Sequence, residues 1–377
     1  MNRKMTKSLA TLFAFAAALT FAIAGGYAQS APAQAPATAA KPKLTQEQFK
    51  NIQVLKDLPA DQLIPAMQFI AASLGVECEY CHVQGAFDKD DKEAKKTARE
   101  MITMMMAINK ENFKGEREVT CFTCHRGSTD PVGTPIISDT PPKPEAENAA
   151  AAAKPLPSSD AILDKYLQAV GGREAVEKIT SRVEKASLTT PNGQEVSIDI
   201  YAKAPDKRIS MMHMKEGDSV TAFDGHQGWL SNPGRPVRPM SEQDNNVAKL
   251  DADLHFAADV KQLFANFHVF ESDKIGDREV YLVVASNEGK PPVRLYFDAQ
   301  SGLLVRMIRY TETPLGRNPS QVDFADYRDS DGVKIPFRWT LARPGQRFTI
   351  QVSAVKQNIP VEDSEFAMPA PAPPKAN

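Results

Sequence analysis

Cysteine is scarce in this chain, which has only four among its 377 residues. They stand at Cys78, Cys81, Cys121 and Cys124, so they form two pairs of the same spacing and no thiol is left over. Pairs of this spacing occur as disulfides, in metal or redox sites, and where a cofactor is attached. The residues beside the pairs must therefore decide what the thiols do.

A strong excess of charge of either sign is also missing. The formal net charge is -2 and the pI is near 6.3. Binding to DNA or RNA requires a strong basic field, so no nucleic-acid partner is expected. Hydrophobic residues make up 42% of the chain, which is enough for a buried core, and the length predicts two domains.

The hydrophobic run from Leu9 to Ala24 follows three basic residues and precedes small residues at Gly26 and Ala28. This order predicts a secretory signal peptide over residues 1–28. A retained membrane anchor is the alternative, but the run is short for the ~20 residues that a spanning helix needs. No cysteine stands at the cleavage site, which argues against lipid attachment there. We expect an exported, periplasmic protein, and leave its association with the membrane open.

Tracts rich in alanine and proline divide the rest of the chain. They lack the large apolar side chains that offset the entropy lost on ordering. We interpret residues 29–43 and 137–159 as linkers and residues 369–377 as a loose tail. The predicted domains are then 44–136, which holds every cysteine, and 160–368, which holds none.

The first domain is predicted to be mostly helical. A helix is expected after Asp61, ending at Gly75, and a second over about Glu93–Asn112. Four apolar residues of the first helix form one stripe at helical spacing: Leu63, Met67, Ile70 and Leu74. Four residues of the second lie along one side in the same way: Met101, Met104, Met105 and Ile108.

The second domain is predicted to be an antiparallel, curved β-sheet with a few helices. Alternating apolar and polar residues indicate strands, separated by turns rich in glycine, aspartate, asparagine and proline. The clearest strands are EVSIDIYAK, REVYLVVAS, VRLYFDA, LLVRMIRYTE and RFTIQVSAV. Helices are expected at SDAILDKYLQAVGG and around DLHFAADVKQLFANF. The predicted fold class of the whole chain is therefore α+β.

A histidine follows each cysteine pair directly, in CEYCH and in CFTCH. In an exported protein, Cys-x-x-Cys-His is the attachment signature of c-type haem. The two thiols add across the vinyl groups of the haem, and the histidine is placed to ligate the iron. The sequence therefore predicts two covalent haems, with His82 and His125 as iron ligands.

Three other uses of the cysteines remain open at this point. Disulfides within each pair would explain the spacing, but not the histidine that follows. A tetrahedral zinc site can be built from two such pairs, yet the gap from Cys81 to Cys121 is wider than usual for zinc. Zinc would also leave both histidines without a role. A dithiol redox motif is the third alternative.

Whether a side chain closes the second face of each iron decides between an electron carrier and a haem enzyme or ligand binder. Met67 lies eleven positions before Cys78, on the predicted helix that leads to the first motif. The run REMITMMMAIN offers Met101, Met104, Met105 and Met106 ahead of the second motif. A methionine opposite a histidine raises the reduction potential. Core packing is the alternative role for each of these methionines.

These stretches resemble the photosynthetic reaction-centre cytochrome c subunit family over about residues 44–135. The likeness rests on MQFIAASLGVECEYCHV, TAREM and VTCFTCHRG. It implies haem attachment through helix, turn and Cys-x-x-Cys-His, with a methionine of the helix as sixth ligand. By position, Met67 corresponds to the ligand of the haem at Cys78, Cys81 and His82. Met101 corresponds to that of the haem at Cys121, Cys124 and His125, which leaves Met104 to Met106 to pack around the edge of the haem.

The chain departs from that family in three ways. It has the motifs of one two-haem half rather than four haems, it lacks the lipid-attachment cysteine, and it carries a large second domain. The resemblance implies periplasmic electron transfer with redox protein partners and suggests a membrane-bound electron-transfer complex. Arg126 is expected either to pair with a haem propionate or to be a solvated surface residue.

The second domain resembles the half-barrel of outer-membrane lipoprotein carrier proteins in its pattern, through ILDKYLQAVGGREAVEKI and DGHQGWL. That likeness implies a cavity for a hydrophobic ligand, and a docking or scaffold module is the alternative. The remaining histidines lack any spacing with other ligand types and are expected to be structural: His213, His226, His255 and His268.

Taken together, the sequence predicts a dihaem cytochrome that passes single electrons and makes no bonds in a substrate. A haem enzyme or gas sensor with an open iron position is the first alternative. A carrier of hydrophobic ligands with an accessory redox segment is the second.

Overall fold

The computed structural model describes residues 43–131, 133, 156–190, 194–344 and 346–369. The predicted signal peptide and nearly all of the predicted linkers and tail lie outside these ranges. The described residues all fall in one compact unit. Within them, no helix is both long enough and apolar enough to span a bilayer.

Four helices form the segment before residue 131, together with short 3-10 turns at Ala60–Gln62 and Cys78–Tyr80. They are α1 (Thr45–Gln48), α2 (Leu63–Leu74), α3 (Glu93–Asn112) and α4 (Cys121–His125). The two long helices lie where the apolar periodicity predicts them. Gly75 ends α2 in the left-handed region at φ 68°, which a residue without a side chain adopts at no steric cost.

The predicted apolar stripes of these two helices are wrong in detail. In α2 the buried residues are Leu63, Ala66, Phe69 and Ser73, whereas Met67 is only half-buried. In α3, Ile102 and Met105 are buried, whereas Met101 and Met104 are exposed. Both helices turn a different side to their shared core, because small side chains such as Ala66 allow closer packing there. A face rich in methionine is left uncovered.

Four further helices belong to the second segment: α5 (Ser159–Ala169), α6 (Arg173–Glu177), α7 (Glu242–Ala252) and α8 (Phe256–Leu263). The helices predicted around α5 and α8 are confirmed, and α6 and α7 were not predicted. Ser158 and Ser241 cap α5 and α7 by accepting a hydrogen bond from Ala161 and Asp244 respectively, each over 3.2 Å from backbone N to side-chain oxygen.

Thirteen strands of the described residues form one antiparallel sheet. They are β1 (Ser181–Thr189), β2 (Glu195–Lys203), β3 (Lys207–Met214), β4 (Gly217–Asp224), β5 (Gly228–Ser231), β6 (Arg238–Pro239), β7 (Asn266–Ile275), β8 (Arg278–Ser286), β9 (Val293–Asp298), β10 (Leu304–Thr313), β11 (Gly316–Ser330), β12 (Val333–Arg343) and β13 (Gln346–Gln357). Neighbours in the sheet are consecutive in sequence, except where β1 pairs with β13. The predicted large curved antiparallel sheet with a few helices is confirmed.

The main core lies between one face of this sheet and helices α5, α6 and α8. Burial alternates along β2, where Val196, Ile198 and Ile200 point to the core. Phe297 of β9 and Leu163 of α5 are almost fully buried in the same cluster. Alternation in the sequence therefore predicts the strands well, because one face of each strand is buried.

The turn between β10 and β11 packs into the first segment. Leu315, which is 1% exposed, belongs to the same hydrophobic cluster as Phe69 of α2 and Ile102 of α3. Asn318 Nδ2 donates to the carbonyl oxygen of Pro65 over 2.9 Å. Arg117 forms an ion pair with Glu312 at 2.5 Å. The end of this hairpin is thus part of the core that holds α2 and α3 together.

Candidate functional site

The first Cys-x-x-Cys-His motif folds into a single tight turn directly after α2. The backbone N–H groups of Cys81 and His82 both donate to the carbonyl oxygen of Cys78, over 3.3 and 3.0 Å. Tyr80 likewise donates to Glu77 over 3.1 Å. This 3-10 turn brings both thiols and the imidazole into one short loop, as covalent attachment of a ring requires.

The second motif is helix α4 itself. The Thr120 N–H donates to Thr123 Oγ1 over 3.0 Å at the start of this helix. Arg126 ends it in the left-handed region at φ 51°, and its N–H donates to Phe122 over 3.2 Å. The side chain of Arg126 is exposed, and its backbone conformation ends α4.

Both motif histidines form the same type of hydrogen bond, from Nδ1 to a nearby backbone carbonyl group. Nδ1 of His82 lies 2.9 Å from the carbonyl oxygen of Phe87, and Nδ1 of His125 lies 2.9 Å from that of Ser128. A carbonyl oxygen only accepts, so the proton resides on Nδ1 and Nε2 keeps its lone pair. Histidines that ligate metals are commonly oriented in this way. Sequence reasoning missed these partners because a backbone carbonyl leaves no residue-type signal.

All four thiols are free, so neither pair is joined as a disulfide. Burial raises the pKa of the thiols of Cys81 and Cys121 above the usual value. In the described part of the chain, no three or more His, Cys, Asp or Glu side chains are grouped so that they could hold a metal ion. The four thiols thus do not form one cluster in that part of the chain.

Exposed large apolar side chains are concentrated in the segment that carries the two motifs. Of the 13 large hydrophobic residues that are exposed in the described ranges, eight lie between Ile64 and Phe122. They include Phe87 at 55% exposed, Phe122 at 52% and Met106 at 50%. Free paired thiols, oriented imidazoles and an uncovered apolar surface together fit a covalently attached porphyrin at each motif.

The two methionines predicted as iron ligands lie on different helices. Met67 of α2 is half-buried against the cluster that also contains Cys121. Met101 lies on the open side of α3 and is 36% exposed. The other methionine of that side, Met104, is 49% exposed, whereas Met105 is buried and fills the core. The structure thus separates one packing methionine from those that face outward.

The end of α2, just before the first motif, contacts the turn that follows the second motif. The Gly127 N–H donates to the carbonyl oxygen of Ser73 over 2.9 Å, which joins the end of α2 to the turn after α4. A Cβ atom on Gly75 would lie 2.2 Å from the Gly127 carbonyl oxygen, so only glycine permits this approach. The sequence shows Gly75 as a helix stop, but its second role depends on a residue more than fifty positions away.

Two of the remaining histidines have protein partners. The imidazole of His213 lies 3.0 Å from Asp218 and 3.5 Å from Asp199, and these carboxylates raise its pKa. Nε2 of His255 lies 2.7 Å from the carbonyl oxygen of Ile179. These contacts support the structural role predicted for both residues.

A cavity of about 200 Å³ lies in the second segment, between the sheet and the helices. Its wall is mostly apolar and includes Tyr166, Met307 and Phe324. Arg182 and Asp253 contribute charge to it. Burial raises the pKa of Asp253 to about 6, and the carboxylate of Asp259 adds to the shift.

Replacing Asp253 with asparagine should make the stability of the protein less dependent on pH. The folded chain holds this proton more tightly than the unfolded chain, so the stability it contributes is full below about pH 4 and is lost as the pH rises to about 6. We expect D253N to gain about 1–2 kcal/mol over the natural chain at pH 7, allowing for solvent screening of a half-buried group. Denaturant unfolding at pH 4 and pH 7 measures this, and an equal difference at both would contradict it.

Comparison with known proteins agrees with the motif chemistry. The model of the family described as "Photosynthetic reaction centre cytochrome C subunit" matches residues 19–214. The photosynthetic reaction center cytochrome c subunit of Thermochromatium tepidum is 36% identical over 89 residues, 22% of each chain. That of Roseobacter denitrificans is 39% identical over 102 residues, 24% of this chain and 27% of the relative. Cytochrome c-554 of Chloroflexus aurantiacus is 32% identical over 102 residues, 24% of each.

Two solved structures are similar to this chain over more than half of its length. A LolA superfamily protein from Nitrosomonas europaea has 15% identity and a TM-score of 0.39, over 56% of this chain and 98% of that one. A DUF1329 family protein from Desulfovibrio piger has 13% identity and a TM-score of 0.41, over 55% and 96%. Both TM-scores lie below 0.5, so the description of the sheet rests on its own strand order and packing.

The curated relatives match this chain over only about a quarter of their own length. The family model, by contrast, matches more than half of the chain, including both Cys-x-x-Cys-His motifs. Both motifs also have the free thiols and oriented imidazoles that haem attachment needs. The chain therefore belongs to the photosynthetic reaction centre cytochrome c subunit family.

Proposed function

We propose that this protein is an exported dihaem c-type cytochrome that transfers single electrons in the periplasm. The observation that carries the proposal is the pair of motif turns, in which both histidines are held through Nδ1 at 2.9 Å from a backbone carbonyl. When bound, each haem supplies an iron that accepts and releases one electron. In this proposal residues 44–136 form the dihaem domain.

The chain's own residues have distinct roles in this proposal. Cys78 and Cys81 fix one porphyrin, and Cys121 and Cys124 fix the other. Each motif histidine would offer Nε2 to an iron, because its Nδ1 is held by a carbonyl group. Met67 would serve as the second protein ligand at the first site and Met101 at the second, and ligation by both would leave no open position for a substrate.

The partners that fit this role are redox proteins. The relatives are named as cytochrome subunits of photosynthetic reaction centres, so we propose a membrane-bound electron-transfer complex as donor or acceptor. Exposed apolar side chains of the first segment, such as Phe122, would lie at the contact with such a partner. No nucleic acid is involved in this proposal.

The methionine ligands can be tested on protein made in a host that attaches haem. Two covalent haems and a weak red band from sulfur ligation are expected, with little spectral change when carbon monoxide is added to the reduced form. M67A and M101A should each open one iron to carbon monoxide and lower its potential, since methionine raises it.

Met104 and Met106 supply matched controls for this test, because both are exposed on α3. M104A and M106A should leave carbon monoxide binding as it is in the natural chain. A natural protein that binds carbon monoxide at one haem would instead support the alternative function, a haem enzyme or gas sensor.

For the second segment, the cavity favours a small hydrophobic ligand as an additional function. Extraction of the purified protein with organic solvent, followed by mass spectrometry, tests this directly. A stoichiometric apolar compound in the extract would support it, and an empty extract from protein purified without detergent would oppose it.

A further inference from the structure

The carbonyl group that orients His82 has a second donor. Lys95 Nζ lies 2.9 Å from the Phe87 carbonyl oxygen, which also accepts from His82 Nδ1 over 2.9 Å. A carbonyl oxygen has two lone pairs and accepts both bonds. One of the two, however, comes from a cation.

Lys95 is built into this position. Its side chain, on α3, is only 10% exposed. Its ammonium group also donates to the carbonyl oxygen of Lys89 over 2.7 Å and to Asp90 Oδ1 over 3.0 Å. The three N–H groups therefore have three acceptors, which is the full capacity of a lysine.

The neighbouring charges hold the same loop in place. Arg99 binds Asp90 through two parallel hydrogen bonds, each 2.9 Å long. These bonds, with those from Asn51 and Lys95, hold the pKa of Asp90 well below its usual range. Two cations and one carboxylate leave the group with a net positive charge beside the carbonyl that serves His82.

The second motif has no such arrangement. His125 Nδ1 bonds to the carbonyl oxygen of Ser128, and within the residues that the structure describes no lysine or arginine donates to that oxygen. The two motifs are the same in sequence pattern and in the histidine bond. They differ in whether a cation shares the accepting carbonyl.

We propose that Lys95 is a positioning residue that raises the reduction potential of the haem site at His82 relative to the site at His125. This inference rests on the proposed function, because it requires a haem at each motif. A strong hydrogen bond from Nδ1–H makes the imidazole a better electron donor to its metal. An ammonium on the same carbonyl weakens that bond, so His82 donates less and the reduced iron is favoured. The net positive charge acts in the same direction.

Lys95→Met in the full-length holoprotein tests this proposal. A redox titration of the natural chain should resolve two one-electron components. In K95M the midpoint potential of one component should fall by at least about 28 mV, which is a threefold change in its equilibrium constant at 59 mV per tenfold. The midpoint potential of the other component should not change. The resonance of the His82 Nδ1 proton in the reduced state should shift as well.

Lys96→Met is the matched control, since Lys96 is the next residue of α3 and its side chain is 50% exposed and paired with Glu93. It removes the same charge without touching the Phe87 carbonyl. Equal shifts in K95M and K96M, equal shifts of both components in K95M, or no shift at all would overturn the proposal.

If K95M fails to attach the first haem, Asp90→Asn decides the question. Removing this carboxylate increases the net positive charge while Lys95 keeps its bond to Phe87, so one component should rise. An unchanged or lower potential in D90N would then overturn the proposal. A natural chain without covalent haem would instead refute the proposed function itself, so the two failures are distinct.

Discussion

Replacing Cys78 and Cys81 together with alanine should leave a protein with one covalent haem. The two thiols are free and lie in one tight turn, with His82 oriented by the Phe87 carbonyl. Without them, the first site has no covalent link, and denaturation should release any haem that it binds. Mass spectrometry under denaturing conditions should show the loss of one haem, and the visible absorbance of the reduced protein should fall by about half, because the two motifs contribute equally.

The reciprocal variant, C121A/C124A, is the matched comparison. It should also retain one haem, now at the first motif, and the two variants should differ in reduction potential if their surroundings matter. Both haems retained in either double variant would show that the thiols are not the attachment points. Loss of both haems from each variant would show that the two sites cannot be filled independently.

Replacing Leu315 with alanine should loosen the helical segment that carries both motifs, although this residue lies in the turn between β10 and β11. Leu315 is 1% exposed and packs with Leu63, Phe69 and Ile102. A buried leucine truncated to alanine typically costs about 2–5 kcal/mol, through lost burial and the cavity left behind. Because the cavity would lie between α2 and α3, those helices should open more readily than the rest of the protein. Amide hydrogen exchange of α2 and α3, with denaturant unfolding, measures both effects.

Leu295→Ala provides the control for this prediction. Leu295 is equally buried, but it belongs to the main core of the sheet. L295A should reduce stability by a similar amount without selective exchange in α2 and α3. If both variants gave the same exchange pattern, Leu315 would have no selective role in holding α2 and α3 together.

The sequence predicts the candidate haem sites because the motif that indicates them is local. Two thiols and an imidazole within five residues have a reach that the covalent chain limits, so the spacing of Cys78, Cys81 and His82 carries the prediction without a fold. The strands could be predicted for a similar reason, since alternation over a few residues reflects one buried face. The helix Glu93–Asn112 was predicted from its apolar periodicity.

The parts that could not be predicted depend on contacts that residue type and spacing do not record. Apolar periodicity places Met101 and Met105 on one stripe of α3, but only the neighbours of the helix decide that Met105 is buried and Met101 exposed. Lys95 looks like one charged residue among many, until α3 brings its ammonium to the Phe87 carbonyl. The same is true of Leu315, which is an ordinary turn residue in sequence.

By itself, the sequence determined the α+β class, the two Cys-x-x-Cys-His turns and most of the strands, because each depends on steric and covalent limits within a few residues. The carbonyl groups that orient His82 and His125 lie within five residues of them, but a backbone carbonyl leaves no residue-type signal in the sequence. Only the tertiary structure decided which faces of α2 and α3 are covered and that the β10–β11 hairpin completes the helical core. Those features arise from contacts that close long loops of chain. Residue type and spacing do not record which distant atoms will meet.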